Sequence, residues 1–398
     1  MKKSILIAVY DMEIGGIERS LINMLESFNY DNYEVDLLIF NHTGDFLKLI
    51  PGQVNILPQV AQYSIFRKSI YQCVQEGHVS LALVRVLSKF MGNFKATFRR
   101  LEEDSGYMQM QLALKYASAF LPRVKKEYDV VISYAWPHDI LAKKVKAHKK
   151  IAWIHTDYSK LEIDNKIDYR IWDRFDYIAS VSQECTNSFL KMYPDLKKRI
   201  VLIENITSPE FIKKRAFDTV VFSNPENSFR ILSVGRLSYV KGFDLAVKSL
   251  KILYDRGFTN IKWYVIGYGG YENELEELIS QHNMQNSFIL LGKKTNPYPY
   301  MKLCDIYVQP SRYEGKAVTV TEAKILGKPV LITNYPTAKS QINDGVDGFI
   351  CKLSPEDLAN SIESLYLDED KRKSVVSNIK QVDYSNSEEL EKLYAIIK

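Results

Sequence analysis

The strongest constraint on this chain is an alternation that occurs twice. Short, nearly continuous apolar runs are separated by longer segments with helical spacing. In the first half the runs are SILIAVY (4–10), YEVDLLIF (33–40), YDVVISYA (128–135), KKIAWIHT (149–156) and DYIASVS (176–182). Segments such as IERSLINMLESF (17–28) and YMQMQLALKYASAFL (107–121) lie between them. In the second half FRILSVG, IKWYVIG, SFILLG, CDIYVQP, KPVLIT and DGFIC alternate with FDLAVKSLKILYDRG, closed by Gly257, and YENELEELISQH. Strands that are apolar throughout belong to parallel sheets covered on both faces, and strands alternating with helices imply that connectivity. The expected fold class is α/β, with two doubly wound domains. A chain of 398 residues exceeds what one core usually serves, which supports two domains.

The boundaries expected from these patterns are a first domain over 1–205, a second over 206–380, and a C-terminal helix over 381–398 that packs back on the first. The linker falls in the polar, proline-containing stretch 205–228. In doubly wound sheets, ligands bind where strands end and helices begin. Candidate residues are therefore sought just after strands.

Bulk composition excludes several classes. With 46% hydrophobic and 25% charged residues, the chain has no disorder signature. Cys73, Cys185, Cys304 and Cys351 lie far apart, with no metal-binding spacing, as expected of isolated thiols in a reducing cytoplasm. The N-terminal apolar run is too short for a signal or membrane span and reads as a buried strand. Charge is uneven. Residues 51–150 hold 16 Lys/Arg against 7 Asp/Glu, whereas 201–398 hold 25 of each. The basic runs at 95–101, 123–128 and 143–150 are either a solvated surface or a site for an anionic membrane or polyanion. No nucleic-acid recognition motif is present.

Three motifs follow strands. In GRLSYVKGF, Arg236 and Lys241 share a loop that suits a diphosphate, because fixed cations stabilise the charge a departing diphosphate gains. Ordinary exposed loop charges are the alternative. In YDMEIGGIERS, Gly15 and Gly16 let backbone N–H groups approach an anion or a sugar. VIGYGGYENEL lacks phosphate-fingerprint spacing and reads as a tight turn holding helix against strand. In SRYEGKAVTVTEAKILGKPV, Thr319 and Glu322 fit a capping box. Capping leaves Glu314 unexplained. A carboxylate there can accept sugar hydroxyls, with the N–H groups of residues 316–318 facing the same ligand and Glu322 reaching a second diol, such as a ribose.

This ordered series resembles the retaining glycosyltransferases of family 4, whose signature is E-x7-E. The stretches SVGRLSYVKGFDLAV, VIGYGGYENELEELI, LLGKK, CDIYVQPSRYEGKAVTVTEAKILGKPVLIT and INDGVDGFI occur in the family's order, with GGIERSL and DYIASVSQ in the first half. The resemblance implies the GT-B fold, two facing Rossmann-like domains with a cleft between them. It gives the donor diphosphate to Arg236 and Lys241, and the donor sugar to Glu314 and the backbone after it. That backbone here is Lys316, Ala317 and Val318, where family members often carry Gly-Phe-Gly or a proline. Glu322 takes the ribose, the loop near Lys293 packs on the base, Gly16 lines the cleft, and His155 in WIHTDYS lies near the transferred sugar. NYPTAKSQI replaces the family's Gly-Gly. Both departures bear on sugar specificity.

The resemblance implies sugar transfer from a nucleotide-diphosphate donor, expected to be a UDP-sugar, with retention at the anomeric carbon, and the basic excess of the first domain suits a glycan or undecaprenyl-diphosphate-linked acceptor in cell-surface polysaccharide assembly. No metal or other cofactor is expected. Asp368, Glu369 and Asp370 form a DxD within a charged, helix-like tail rather than a metal site. The enzyme is expected in the cytoplasm, in peripheral contact with the inner membrane face and not with nucleic acid. The rival readings are a nucleotide-sugar epimerase of related architecture and a non-catalytic partner subunit.

Overall fold

A computed structural model describes residues 2–99, 106–220 and 228–398. The side chains of the basic run 95–101, and residues 221–227 of the expected linker, lie outside the described residues. The chain divides into two compact units. One is Met1–Ile206 with Asn386–Lys398, and the other is Thr207–Ser385.

The first unit is built on a seven-stranded parallel sheet. Its strands are β1 (Lys3–Val9), β2 (Tyr33–Ile39), β3 (Asn55–Ile56), β4 (Tyr128–Ser133), β5 (Ala147–Ile154), β6 (Tyr177–Ser180) and β7 (Ile200–Leu202), in the order β3-β2-β1-β4-β5-β6-β7. The five apolar runs of the first half are the five inner strands. The edges β3 and β7 were not expected. They are only two and three residues long and none of their residues is buried, so each is shorter than the runs that signal a strand. Central β1 shows why the others were legible, since Ile5 to Val9 are almost wholly buried on both faces.

The second unit holds β8 (Phe229–Val234), β9 (Ile261–Ile266), β10 (Phe288–Gly292), β11 (Ile306–Gln309), β12 (Val330–Thr333) and β13 (Phe349–Cys351), all parallel, in the order β10-β9-β8-β11-β12-β13. Neighbouring residues feed opposite cores. Ile231, Trp263 and Val265 join one apolar cluster, while Leu232, Tyr264 and Ile266 join another. Helices covering both faces of the sheet produce that division.

Each strand order reverses once beside the first strand of its sheet, between β1 and β4 and between β8 and β11. Loops diverge at such a reversal and leave a crevice at the strands' carboxyl ends.

The last helix, Glu388–Ile397, packs within the first unit. Tyr394 stacks on Tyr33 at 5.1 Å and meets Phe28 edge-on, and its hydroxyl accepts the Asn29 N–H at 2.8 Å. The Glu389 carboxylate accepts the Glu204 N–H at 2.9 Å. All four cysteines are free and buried. No described helix is long and apolar enough to cross a membrane. Tyr394→Ala should lower stability by about 3 kcal/mol, as expected for truncating a buried aromatic, and denaturant unfolding will measure the loss.

Candidate functional site

The second unit gathers its candidate residues at the carboxyl ends of β8 to β11. Arg236 lies exposed on the loop after β8, and Lys241 ends a 3-10 turn, Tyr239–Lys241, on the same loop. Glu314 lies on the loop after β11, the neighbouring strand across the reversal. Lys293 follows β10, its ammonium 5.3 Å from the Tyr268 ring centroid on the loop after β9.

Lys241 and Glu314 meet directly. The ammonium donates to Glu314 Oε1 at 2.6 Å, and the glutamate is only 7% exposed. The same oxygen accepts from Ser311 Oγ at 2.6 Å and from Gln309 Nε2 at 3.2 Å. Gln309 is fully buried, and its own oxygen accepts from the Tyr307 hydroxyl at 2.6 Å. A carboxylate this buried needs such donors, because desolvation without them is costly.

A second set of bonds locks the two loops together. Arg312 grips Asp244 through both terminal nitrogens, at 2.7 and 2.6 Å. It also donates to the Tyr239 carbonyl at 2.6 Å, and its guanidinium lies 3.8 Å from the Tyr239 ring centroid. Its backbone N–H donates to the Val240 carbonyl at 2.8 Å. Gly242 completes the junction. It has φ +68°, and a Cβ there would stand 1.9 Å from the Pro310 carbonyl oxygen. Only glycine combines that backbone with that approach.

The helix Val318–Ile325 corrects two expectations. Its N-cap is Ala317, with no side-chain cap, so Thr319 and Glu322 do not form a capping box. Thr319 is already inside the helix and donates to Gln309 Oε1 at 3.3 Å. Glu322, on the second turn rather than the first, is fully buried and accepts the Tyr298 hydroxyl at 2.9 Å. The helix starts at Val318, too late for the motif's register to reach its first amides. Nor are the N–H groups of 316–318 all turned to a ligand, since that of Ala317 donates to Gln341 Oε1 at 3.1 Å. Lys316 is exposed, and Val318 is half-buried.

NYPTAKSQI, noted as a departure, supports this segment. Gln341 brackets Ala317 by also donating to its carbonyl at 3.2 Å, and Thr337 Oγ1 donates to the Glu314 carbonyl at 2.8 Å. Gln309, Ser311, Arg312, Asp244, Thr337 and Gln341 were missed by sequence reasoning. The pattern S-R-Y-E, with serine and arginine just before the glutamate, was the one available signal. Two glycines of VIGYGG, Gly267 and Gly269, set loop against loop rather than helix against strand. A Cβ on Gly267 would lie 1.8 Å from the Gly235 carbonyl oxygen.

The first unit places Gly16 and His155 around its own strand reversal. Gly16 opens the helix Gly16–Glu26 after β1, and a Cβ there would meet nothing within 4 Å. The protein's own packing therefore does not require glycine at 16. His155 follows β5, and its Nε2 lies 2.8 Å from the Tyr134 carbonyl oxygen. The Tyr134 hydroxyl shares a 2.8 Å hydrogen bond with Ser20 of the Gly16 helix. A carbonyl only accepts, so Nε2 carries the proton and Nδ1 is left as an acceptor. Burial pulls the His155 pKa down to about 4, so the ring is neutral at pH 7. His138 is lowered to about 3 by burial and by the proximity of His155.

Among the described residues no cluster of His, Cys, Asp and Glu has metal-site form. Asp368 caps the helix Glu369–Lys380 by accepting the Lys371 N–H, and Glu369 pairs with Lys373.

A Rossmann-like unit of each kind in one chain, with charged and glycine-bearing loops at strand reversals, defines a protein of the GT-B fold class. Residues 215–382, nearly all of the second unit, match the family model "Glycosyl transferases group 1". The capsular polysaccharide biosynthesis glycosyltransferase CapM of Staphylococcus aureus is 32% identical over 42% of this chain and 46% of its own. A Campylobacter jejuni N-acetylgalactosamine-N,N'-diacetylbacillosaminyl-diphospho-undecaprenol 4-alpha-N-acetylgalactosaminyltransferase is 25% identical over 52% of this chain and 55% of its own. The chain thus spans about half the length of these curated relatives. The crystal structure of Anabaena HepE in complex with UDP-glucose shares the fold, with TM-score 0.65 and 17% identity over 99% of this chain and 100% of that one.

Two outcomes follow. Gly242→Ala should destabilise the second unit by about 1–3 kcal/mol, read as a lowered melting temperature. His155 has a folded pKa below the unfolded value of about 6.5. Its contribution to stability is therefore fully present above pH 6.5 and is lost as pH falls through about 4. Unfolding free energies measured from pH 7 to 4 should fall less steeply in His155→Gln, which keeps a donor for Tyr134.

Proposed function

We propose that the chain transfers a sugar from a nucleotide-diphosphate donor, a UDP-sugar, to an acceptor hydroxyl with retention at the anomeric carbon, as family 4 glycosyltransferases do. The observation that carries this reading is the Lys241–Glu314 pair at the strand reversal of the second sheet. A cation and a sugar-accepting carboxylate stand 2.6 Å apart, on loops that Arg312 and Gly242 hold in register.

In this reading Arg236 and Lys241 bind the diphosphate and stabilise the charge it gains as the glycosidic bond breaks. Glu314, with Lys316, Ala317 and Val318 beside it, takes the donor sugar. Glu322, its rotamer set by Tyr298, takes the ribose, and Lys293 with Tyr268 flanks the base. Gly16 admits the diphosphate closely. His155, neutral and carrying its acceptor at Nδ1, receives a sugar hydroxyl. The acceptor hydroxyl attacks from the face the diphosphate leaves. The carbon–oxygen bond to the acceptor forms as that to the diphosphate breaks, and the acceptor's proton passes to a diphosphate oxygen. No metal is required, since the two cations supply the neutralisation.

The acceptor is a glycan or undecaprenyl-diphosphate-linked glycan in the assembly of a cell-surface polysaccharide. The activities named for the Staphylococcus aureus and Campylobacter jejuni relatives support that class, and the enzyme would act at the cytoplasmic face of the membrane.

A panel of nucleotide sugars screened for thermal stabilisation identifies the donor, because binding to the native chain alone raises its melting temperature. Transfer with that donor and NMR of the product's anomeric configuration then test retention. Lys241→Met and Glu314→Gln should each lower kcat by about 10²-fold or more. Full activity in Glu314→Gln would defeat the site assignment, and conversion of the donor to its sugar epimer without an acceptor would make the protein an epimerase. Gly16→Ala should leave the melting temperature unchanged or slightly raised, since its methyl meets no protein atom, while transfer falls.

A further inference from the structure

The helix Val79–Arg99 carries a feature that sugar transfer does not explain. One side of it packs on the first unit. Leu81, Ala82 and Ser88 are buried there, and Arg85 donates to the Ile65 carbonyl at 2.8 Å. Gly92 lies against Gln109, where a Cβ would come within 2.5 Å of Cγ. The opposite side is apolar as well. Val79, Leu83, Val86, Leu87, Phe90 and Phe94 are all at least half exposed, Phe90 at 73% and Phe94 at 69%. At about 100° per residue these six share one arc about 100° wide, facing away from the packed side. Water-facing helix surfaces are ordinarily polar, and a contiguous apolar patch marks a contact surface.

Charge identifies the occupant. The stripe lies within the segment 51–150, where basic residues outnumber acidic ones 16 to 7. Lys89 is exposed on the helix itself, and the helix sequence carries no Asp or Glu. A second copy of the chain would bring two such basic segments together and be repelled. An anionic bilayer surface satisfies both properties, taking the apolar arc into its interfacial zone while its phosphates attract the basic segment. The helix is about 30 Å long and apolar outward along only one arc, which suits lying in the plane of the membrane.

We propose that the outward face of the helix Val79–Arg99 docks the protein on an anionic phospholipid surface, with Phe90 and Phe94 inserted among the lipids. This does not rest on the transfer reading, since it needs only the surface and not the Lys241–Glu314 site.

The test is co-sedimentation of the full chain with vesicles of phosphatidylcholine alone or mixed with phosphatidylglycerol, at low and high salt. The wild type should partition onto the mixed vesicles, less so at high salt and weakly onto pure phosphatidylcholine. Phe90→Ser/Phe94→Ser should weaken binding about tenfold or more, and Lys89→Glu should weaken it less. Both phenylalanines are exposed, so the double variant should keep the wild-type melting temperature and the same stabilisation by donor nucleotide, which shows that it is folded. Glu314→Gln should bind vesicles as the wild type does. Binding undiminished in the double variant would overturn the proposal, as would no preference for the anionic lipid. A wild-type dimer that this variant converts to monomer would assign the face to a second copy instead. Vesicle binding in a chain without transferase activity would sink the transfer reading alone.

Discussion

The Arg312–Asp244 fork is the constraint on which the second unit's site depends. β8 and β11 are neighbours, but their outgoing loops lead to different helices and would diverge. A bidentate arginine–carboxylate pair fixes distance and orientation together, which a lysine in the same place would not. Here one guanidinium also holds the Tyr239 carbonyl and covers the Tyr239 ring. With Gly242 seated on the Pro310 carbonyl, the two loops behave as one piece. Lys241 and Glu314 then meet at hydrogen-bond distance although they are 73 residues apart in sequence.

The surroundings of Glu314 follow from that closeness. A buried carboxylate facing a single ammonium would be poorly solvated, and the protein supplies Ser311 and Gln309 as further donors. Gln309 is positioned in turn by Tyr307 and Thr319. The network runs from the end of β11 into the next helix without a break. It is a rigid support that fixes the Glu314 carboxylate in place. Thr337 and Gln341 hold the segment from the other side, so a stretch lacking the family's Gly-Gly keeps the backbone around Glu314 in place by side-chain bonds.

The first unit is organised differently around its own reversal. Tyr134, at the end of β4, joins the Gly16 helix through its hydroxyl to Ser20 and sets the His155 tautomer through its carbonyl. One buried tyrosine therefore relates a glycine and a histidine that lie 139 positions apart in the sequence. Neither histidine here is charged at pH 7, since burial keeps both His155 and His138 neutral.

Strands buried on both faces were readable from the chain alone, because parallel sheets require unbroken apolar runs and those runs survive in any context. The positions of the loops after them were readable for the same reason, and of the residues singled out there the structure brings Lys241 and Glu314 into contact. The edge strands β3 and β7 were not, because two or three residues are too few to show a strand pattern. The capping box failed because S/T-x-x-E records spacing and not the residue at which a helix begins. Which donors surround Glu314, which proton His155 keeps, and which side of the helix Val79–Arg99 faces outward depend on groups far away in sequence. Local pattern carries no record of such partners, and folding alone brings them within bonding distance.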